Sequence, residues 1–213
     1  MADVSIDTLI TDVRKFVLKA PKHTIIDAYR RAVRDWCGQT RWLRQNQPGT
    51  LEADVQVYAL GPDPLMEIVD VPAASIDITI AGRTQTFGMK PSDPTTFDPN
   101  AAASQPYTYA YLPEGSIAFY YVPKQAYVVN LTLALQPTVN CETIDDSMLR
   151  KWFKVFEAGA LAYLLMLPEA WKDEKLAGLK MAEFAAGVNN GKTDVVRGYQ
   201  SGTVMVRKRA WIV

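Results

Sequence analysis

Histidine is the usual proton carrier at neutral pH, and this 213-residue chain has one, His23, beside Pro21 and Lys22 where a helix is expected to begin. That place suits a helix-end or surface residue better than a general base. Cys37 and Cys141 lie far apart in apolar patterns, which suits buried thiols. With a single histidine they cannot supply a zinc site at the usual ligand spacings. The glycines at 187 and 191 follow a helical pattern, whereas a phosphate-cradling loop precedes one. Asp145 and Asp146 could do acid–base work as a carboxylate pair, but they open a helical pattern, where free amides and the helix dipole favour acids. Asn130-Leu131-Thr132 has the form of a glycosylation acceptor within a strand pattern. The residues therefore give no catalytic, metal-binding or cofactor-binding set, and no cofactor is expected.

Binding chemistry is better represented. Arg30, Arg31, Arg34 and Arg41 recur on one side of a helical pattern whose other side carries Ile26, Tyr29, Val33, Trp36, Cys37 and Thr40. A basic stripe without interleaved aromatics points less to nucleic acid than to a partner subunit, so these arginines are candidate inter-subunit contacts. Tyr107, Tyr109, Tyr111, Tyr120, Tyr121 and Tyr127 could form a sugar platform, a protein interface or core. At the end of the chain Val204 and Val206 alternate, Arg207, Lys208 and Arg209 follow, and Trp211-Ile212-Val213 close. Chain ends are normally polar and frayed. An apolar, aromatic one is expected either to dock into a partner or to be a strand of its own domain.

Three kinds of element must position these residues. Ile6, Leu9, Ile10, Val13, Phe16 and Val17 have helical spacing behind Ser5 as a cap, with Pro21 closing; the second helix ends near Asn46-Gln47-Pro48-Gly49. The period then changes to two at Ile76/Ile78/Ile80, Tyr107/Tyr109/Tyr111, Ile117/Phe119/Tyr121 and Val129/Leu131/Leu133/Leu135, with turn residues between. Six to eight short strands are expected there, and residues 88–106, with four prolines, read as a long exposed loop. Helical period returns at Leu149, Trp152, Phe153, Phe156, Ala160, Tyr163, Leu164 and Leu167. A last helix carries Ala177, Met181, Phe184 and Val188 before Asn189-Asn190-Gly191 stops it.

The predicted fold class is α+β: an antiparallel bundle of about four helices, an inserted antiparallel β-sandwich or barrel, and an extended C-terminal arm. The boundaries are 1–48 and 140–192 for the two halves of the helical domain, 49–139 for the β insert and 193–213 for the arm. Hydrophobic residues at 48% and charged residues at 22% exclude global disorder. The longest apolar run, from Ala158 to Leu167, is too short to span a bilayer, and the acidic start lacks the form of a signal peptide, so synthesis in a cytoplasm and no membrane contact are expected. Net charge is zero, yet residues 14–44 carry nine Lys/Arg against two acids and residues 50–146 three against twelve. Such segregation suits self-assembly, with solvated faces as the plainer explanation.

The order of these parts, with Asp27-Ala28-Tyr29-Arg30-Arg31-Ala32-Val33-Arg34-Asp35-Trp36-Cys37, Ile117-Ala118-Phe119-Tyr120-Tyr121-Val122-Pro123, Leu133-Ala134-Leu135-Gln136-Pro137 and Glu157-Ala158-Gly159-Ala160-Leu161-Ala162-Tyr163-Leu164-Leu165, resembles the head-to-tail adaptor (connector) proteins of tailed bacteriophages. The resemblance covers roughly residues 24–190. It implies a non-enzymatic virion protein of the neck: a ring of typically twelve copies under the portal, offering a platform to the tail or nozzle, with viral DNA passing through its lumen without sequence-specific binding. It also implies a portal-gripping role for the C-terminal segment, here Val204, Val206, Arg207, Lys208, Arg209, Trp211, Ile212 and Val213. A carbohydrate- or host-binding module built on the tyrosine-rich insert is the alternative.

Overall fold

Two stretches far apart in the sequence belong to one unit. In the computed structural model, which describes residues 3–198 apart from 81, 99, 113 and 114, residues 3–42 associate with 143–198, while Leu43–Glu142 form a second unit. The elements run β1 (Asp3–Ser5), α1 (Ile10–Arg14), α2 (Lys22–Thr40), β2 (Arg44–Leu51), β3 (Val57–Ala59), β4 (Met66–Ile80) and β5 (Arg83–Pro91). They continue with β6 (Ala103–Ser104), β7 (Thr108–Leu112), β8 (Ser116–Tyr120), β9 (Val122–Pro123), β10 (Tyr127–Pro137), β11 (Thr143–Asp145), α3 (Asp146–Met166) and α4 (Glu174–Val196). Short 3-10 turns occupy Ile6–Leu9 and Pro94–Thr96. The class is mixed α+β.

In the helical unit, α3 is central and its apolar stripe meets both neighbours. Trp36 of α2 stacks edge-on to Phe156 at 5.4 Å, and Tyr163 lies 6.4 Å from Phe184 of α4. Burying each such aromatic contributes roughly 2–3 kcal/mol. Three glycines allow the close approach. A Cβ on Gly159 would stand 2.7 Å from Phe184 and 2.9 Å from the Ala32 Cβ, and one on Gly191 would stand 2.7 Å from Thr40 and 2.8 Å from Trp36; Gly187 is pressed in the same way against Val155. β1 pairs antiparallel with β11, tying the start of the chain to the entry of α3.

The helix ends differ from the sequence expectation. The first helix is split into the Ile6–Leu9 turn and a short α1, and the i→i+3 bonds Phe16→Val13 and Ala20→Val17 tighten the chain before Pro21, whose ring disfavours α geometry just ahead of it. α2 stops at Thr40, because Arg41 turns left-handed (φ 53°) and returns its amide to the Cys37 carbonyl at 2.9 Å. The polar run Arg44–Leu51 is thus a strand, and the β unit spans 43–142 where 49–139 was expected. At the other end, Asn189-Asn190-Gly191 does not stop α4. Gly191 is there for packing, and residues 193–196 continue the helix instead of opening an extended arm.

The β unit is a curled seven-stranded sheet in the order β2-β10-β4-β5-β7-β8-β3, with β6 and β9 as a separate short pair. Pro48 explains why β2 takes an edge, since a proline cannot donate to a central ladder. Alternation on β10 buries Tyr127, Val129, Leu131, Leu133 and Leu135 against Leu51, Ile76, Ile117 and Phe119. The curl brings the end strands together through side chains: the Tyr58 hydroxyl on β3 accepts from the Glu52 amide just after β2 at 2.7 Å. Two pairings, β6 with β9 and β5 with β7, correct the wholly antiparallel expectation. β5 and β7 run parallel at Lys90↔Thr108 and Pro91↔Tyr109, because the long connection from 92 to 107 crosses over before re-entering the sheet. The expected 88–106 loop is correspondingly shorter, its first residues belonging to β5 and Ala103–Ser104 to β6.

Candidate functional site

The α2 arginines take different surroundings. Arg30 is half-buried and paired with Asp27 at 3.1 Å; Arg34, one turn on, is also half-buried. Arg31 points about 100° away from Arg30 by the geometry of the helix. Its guanidinium lies 4.3 Å from the centroid of Tyr163, and its Nε is 3.9 Å from Asp35. The Tyr163 hydroxyl donates to Asp35 at 2.5 Å. Burial, together with that hydrogen bond and the carboxylate charge, pushes the phenol up to about 12 despite the opposing Arg31. Arg31 and Tyr163 also line an open cleft of about 210 Å³ with Thr24, Asp27, Ala28, Leu164 and Leu167. Arg41 is the exposed C-terminal cap of α2. The four residues therefore form a band along α2, with Arg30 and Arg34 adjacent and Arg31 in a network that the i,i+4 spacing of Arg31 and Asp35 signals but that only the fold joins to Tyr163.

The expected arm residues Val204, Val206, Arg207, Lys208, Arg209, Trp211, Ile212 and Val213 lie outside the described residues.

The tyrosines of the β unit divide by role. Tyr109 is buried and its hydroxyl donates to the Val71 carbonyl at 2.8 Å; Tyr111 donates to Ile68 at 3.1 Å and Tyr120 to Asp93 at 2.7 Å. Tyr109 and Tyr111 thus fasten β7 to β4, Tyr120 fastens β8 to the loop at Asp93, and Tyr127 is buried in the core. Tyr107 and Tyr121 remain at the surface, edge to face with centroids 6.3 Å apart. Tyr107 stands just before β7 and Tyr121 just after β8, so no spacing rule joined them.

The residues with reaction chemistry occupy structural positions. His23 is exposed at the second residue of α2. Asp145 caps α3, accepting from the amides of Ser147 and Met148 and from the Ser147 hydroxyl. Burial is the largest single influence on that carboxyl and raises it, but these hydrogen bonds outweigh burial and hold it below the ordinary value. Asp146 pairs with Arg150 one turn on. Cys37 and Cys141 are buried, unlinked thiols in separate units. Among the described residues no three His, Cys, Asp or Glu side chains come together as metal ligands, and no helix is long and apolar enough to cross a membrane.

An arrangement of capped helices, a curled sheet with two surface tyrosines and a band of arginines can hold partners. No curated protein matches the chain. The SU10 adaptor protein family model matches residues 4–207, which takes in both units, and the chain belongs to that family of bacteriophage structural adaptors.

Proposed function

We propose that this chain is the subunit of a ring in the neck of the virion, joining the portal of the DNA-filled head to the tail or nozzle. The observation that carries the reading is the family match running through both the helical and the β unit, so that the entire architecture is that of an adaptor. Twelve copies form the ring, viral DNA passes through its lumen without sequence-specific contacts, and the protein acts without catalysis. Arg30, Arg31, Arg34 and Arg41 face neighbouring subunits in this reading, and the segment Val204–Val213 holds the portal.

Charge supports a repeating contact between unlike surfaces. Residues 43–142 carry four Lys/Arg against ten acids, a net of −6, and the rest of the chain carries nineteen against thirteen, a net of +6. Electron microscopy of the protein mixed with its portal tests the proposal. A ring stacked on the portal is expected; a chain that stays monomeric and ignores the portal refutes it.

The exposed Tyr107–Tyr121 pair favours a second reading, a sugar- or host-binding surface on the β unit. A glycan array probed with the full chain and with Tyr107→Ala distinguishes it: binding that the substitution abolishes supports this reading, and an empty array removes it.

A further inference from the structure

Two surfaces of the molecule expose large apolar side chains among charges of opposite sign. The first is the corner between α1 and α2. Phe16 is 50% exposed and Leu18 76%, while Val17 and Ala20 beside them are buried. Arg14, Lys15 and Lys19 surround the two apolar residues. Lys15 pairs with Asp12 and Lys22 with Asp7, so Arg14 and Lys19 have no carboxylate partner among the described residues. From Asp7 to Lys22 the corner carries four cations and two acids. Arginine beside an aromatic side chain is the composition that interface centres favour.

The second surface is the loop end of the β unit. Tyr121 has φ 63°, the left-handed region that bulky residues seldom enter, and this turn holds its ring outside the sheet against Tyr107. The Asp54 amide donates to the Pro123 carbonyl at 2.9 Å, and the Gln56 side-chain amide to the Asp98 carbonyl at 3.2 Å. These bonds gather the loops bearing Glu52, Asp54, Asp93 and Asp98 at the end where Tyr107 and Tyr121 stand. Lys90 and Lys124 are the cations nearby, leaving the end at −2 against +2 for the corner.

We infer that these two surfaces meet in successive copies of the chain. Phe16 and Leu18 of one copy pack on Tyr107 and Tyr121 of the next, and Arg14 and Lys19 face Glu52, Asp54 and Asp98. The occupant is a second copy because the two faces complement each other in local charge and belong to units of opposite sign, +3 and −5 over the described residues. The faces are different, so the contact is head-to-tail, the type that generates rings when its rotation closes. The inference rests on the ring reading and assigns its contact.

Cysteine cross-linking of the full chain tests it. Leu18→Cys chains are mixed with Tyr107→Cys chains, both positions being exposed, and oxidised with the wild type as control for Cys37 and Cys141. A covalent dimer is expected from the mixture and not from either variant alone. In sedimentation velocity, Lys19→Glu is expected to weaken self-association at least tenfold, and adding Glu52→Lys to the same chain to restore it. Multimers that form without this cross-link and ignore Lys19→Glu overturn the contact while leaving the ring standing. A chain that is monomeric up to about 1 mM and also gives no such cross-link when mixed with its portal overturns the contact; the portal experiment then judges the ring. Glycan binding lost in Tyr107→Ala, with no cross-link, overturns it in favour of a sugar platform.

Discussion

Placing alanine at Gly159 and, separately, at Gly178 should give opposite signs for one chemical change. Both glycines lie inside helices, where alanine is favoured over glycine by about 1 kcal/mol. At Gly178 a Cβ meets nothing within 4 Å, so the full gain is expected. At Gly159 the new methyl stands 2.7 and 2.8 Å from two ring atoms of Phe184 and 2.9 Å from the Ala32 Cβ, where carbon contacts settle near 3.5–4.0 Å. The Ala32 methyl is fixed to the α2 backbone, and Phe184 is 3% exposed with little room to turn. Relief requires α2 or α4 to move off α3 by several tenths of an ångström. Overpacking of this kind costs about 2–3 kcal/mol, which leaves Gly159→Ala less stable by about 1–2 kcal/mol after the propensity gain. Urea unfolding followed by tryptophan fluorescence isolates the helical unit, because none of the five tryptophans falls in Leu43–Glu142. The midpoint should fall for Gly159→Ala and rise for Gly178→Ala. Equal rises at both sites would refute the close approach of α2 and α4 to α3 at Gly159.

Asp145→Ala removes the α3 cap and should cost about 1 kcal/mol, read as a lower thermal midpoint at pH 7 with unchanged helix content. Asp194 is 13% exposed and accepts from Lys151 at 2.7 Å and from the Trp42 indole at 2.9 Å. Burial, its largest influence, raises the carboxyl, but these partners outweigh burial and hold it below the ordinary value. The folded value is depressed, so its stabilisation is present above the unfolded carboxyl range and lost as pH falls through the folded value. Asp194→Asn should therefore lose about 2 kcal/mol at pH 7 and show a flatter decline than the wild type below about pH 4 in urea titrations. Deleting Val204–Val213 should leave circular dichroism and urea midpoint unchanged while abolishing portal pull-down. A chain that unfolds instead makes the segment a strand of its own domain.

Legibility follows which face of an element is buried. Val129, Leu131, Leu133 and Leu135 alternate because one face of β10 packs on the core, and that pattern needs no knowledge of the partner strands. β2 is the counterexample: its burial is confined largely to Leu51, so Arg44–Leu51 carries no alternation and reads as a helix end. Gly191 misleads for a related reason. Glycine after a run of asparagines is a good stop signal, yet the same absence of a Cβ serves equally for Trp36 and Thr40 to press on α4, and only the packed helices distinguish the two uses.

Function was harder to read because the informative residues do not share a segment. The six tyrosines look alike in the sequence, but four are tied to carbonyls or the core, while Tyr107 and the left-handed Tyr121 face water. The charge asymmetry likewise gains meaning only when the chain is divided by the fold. Counted by unit over the described residues, charges of +3 and −5 sit on two separately packed bodies of one neutral protein. Two copies meeting like to like gain no attraction from that division, whereas unit against opposite unit gains it at every step. In the ring proposed above that pairing recurs at each subunit boundary, which is how the division of charge supports the proposal.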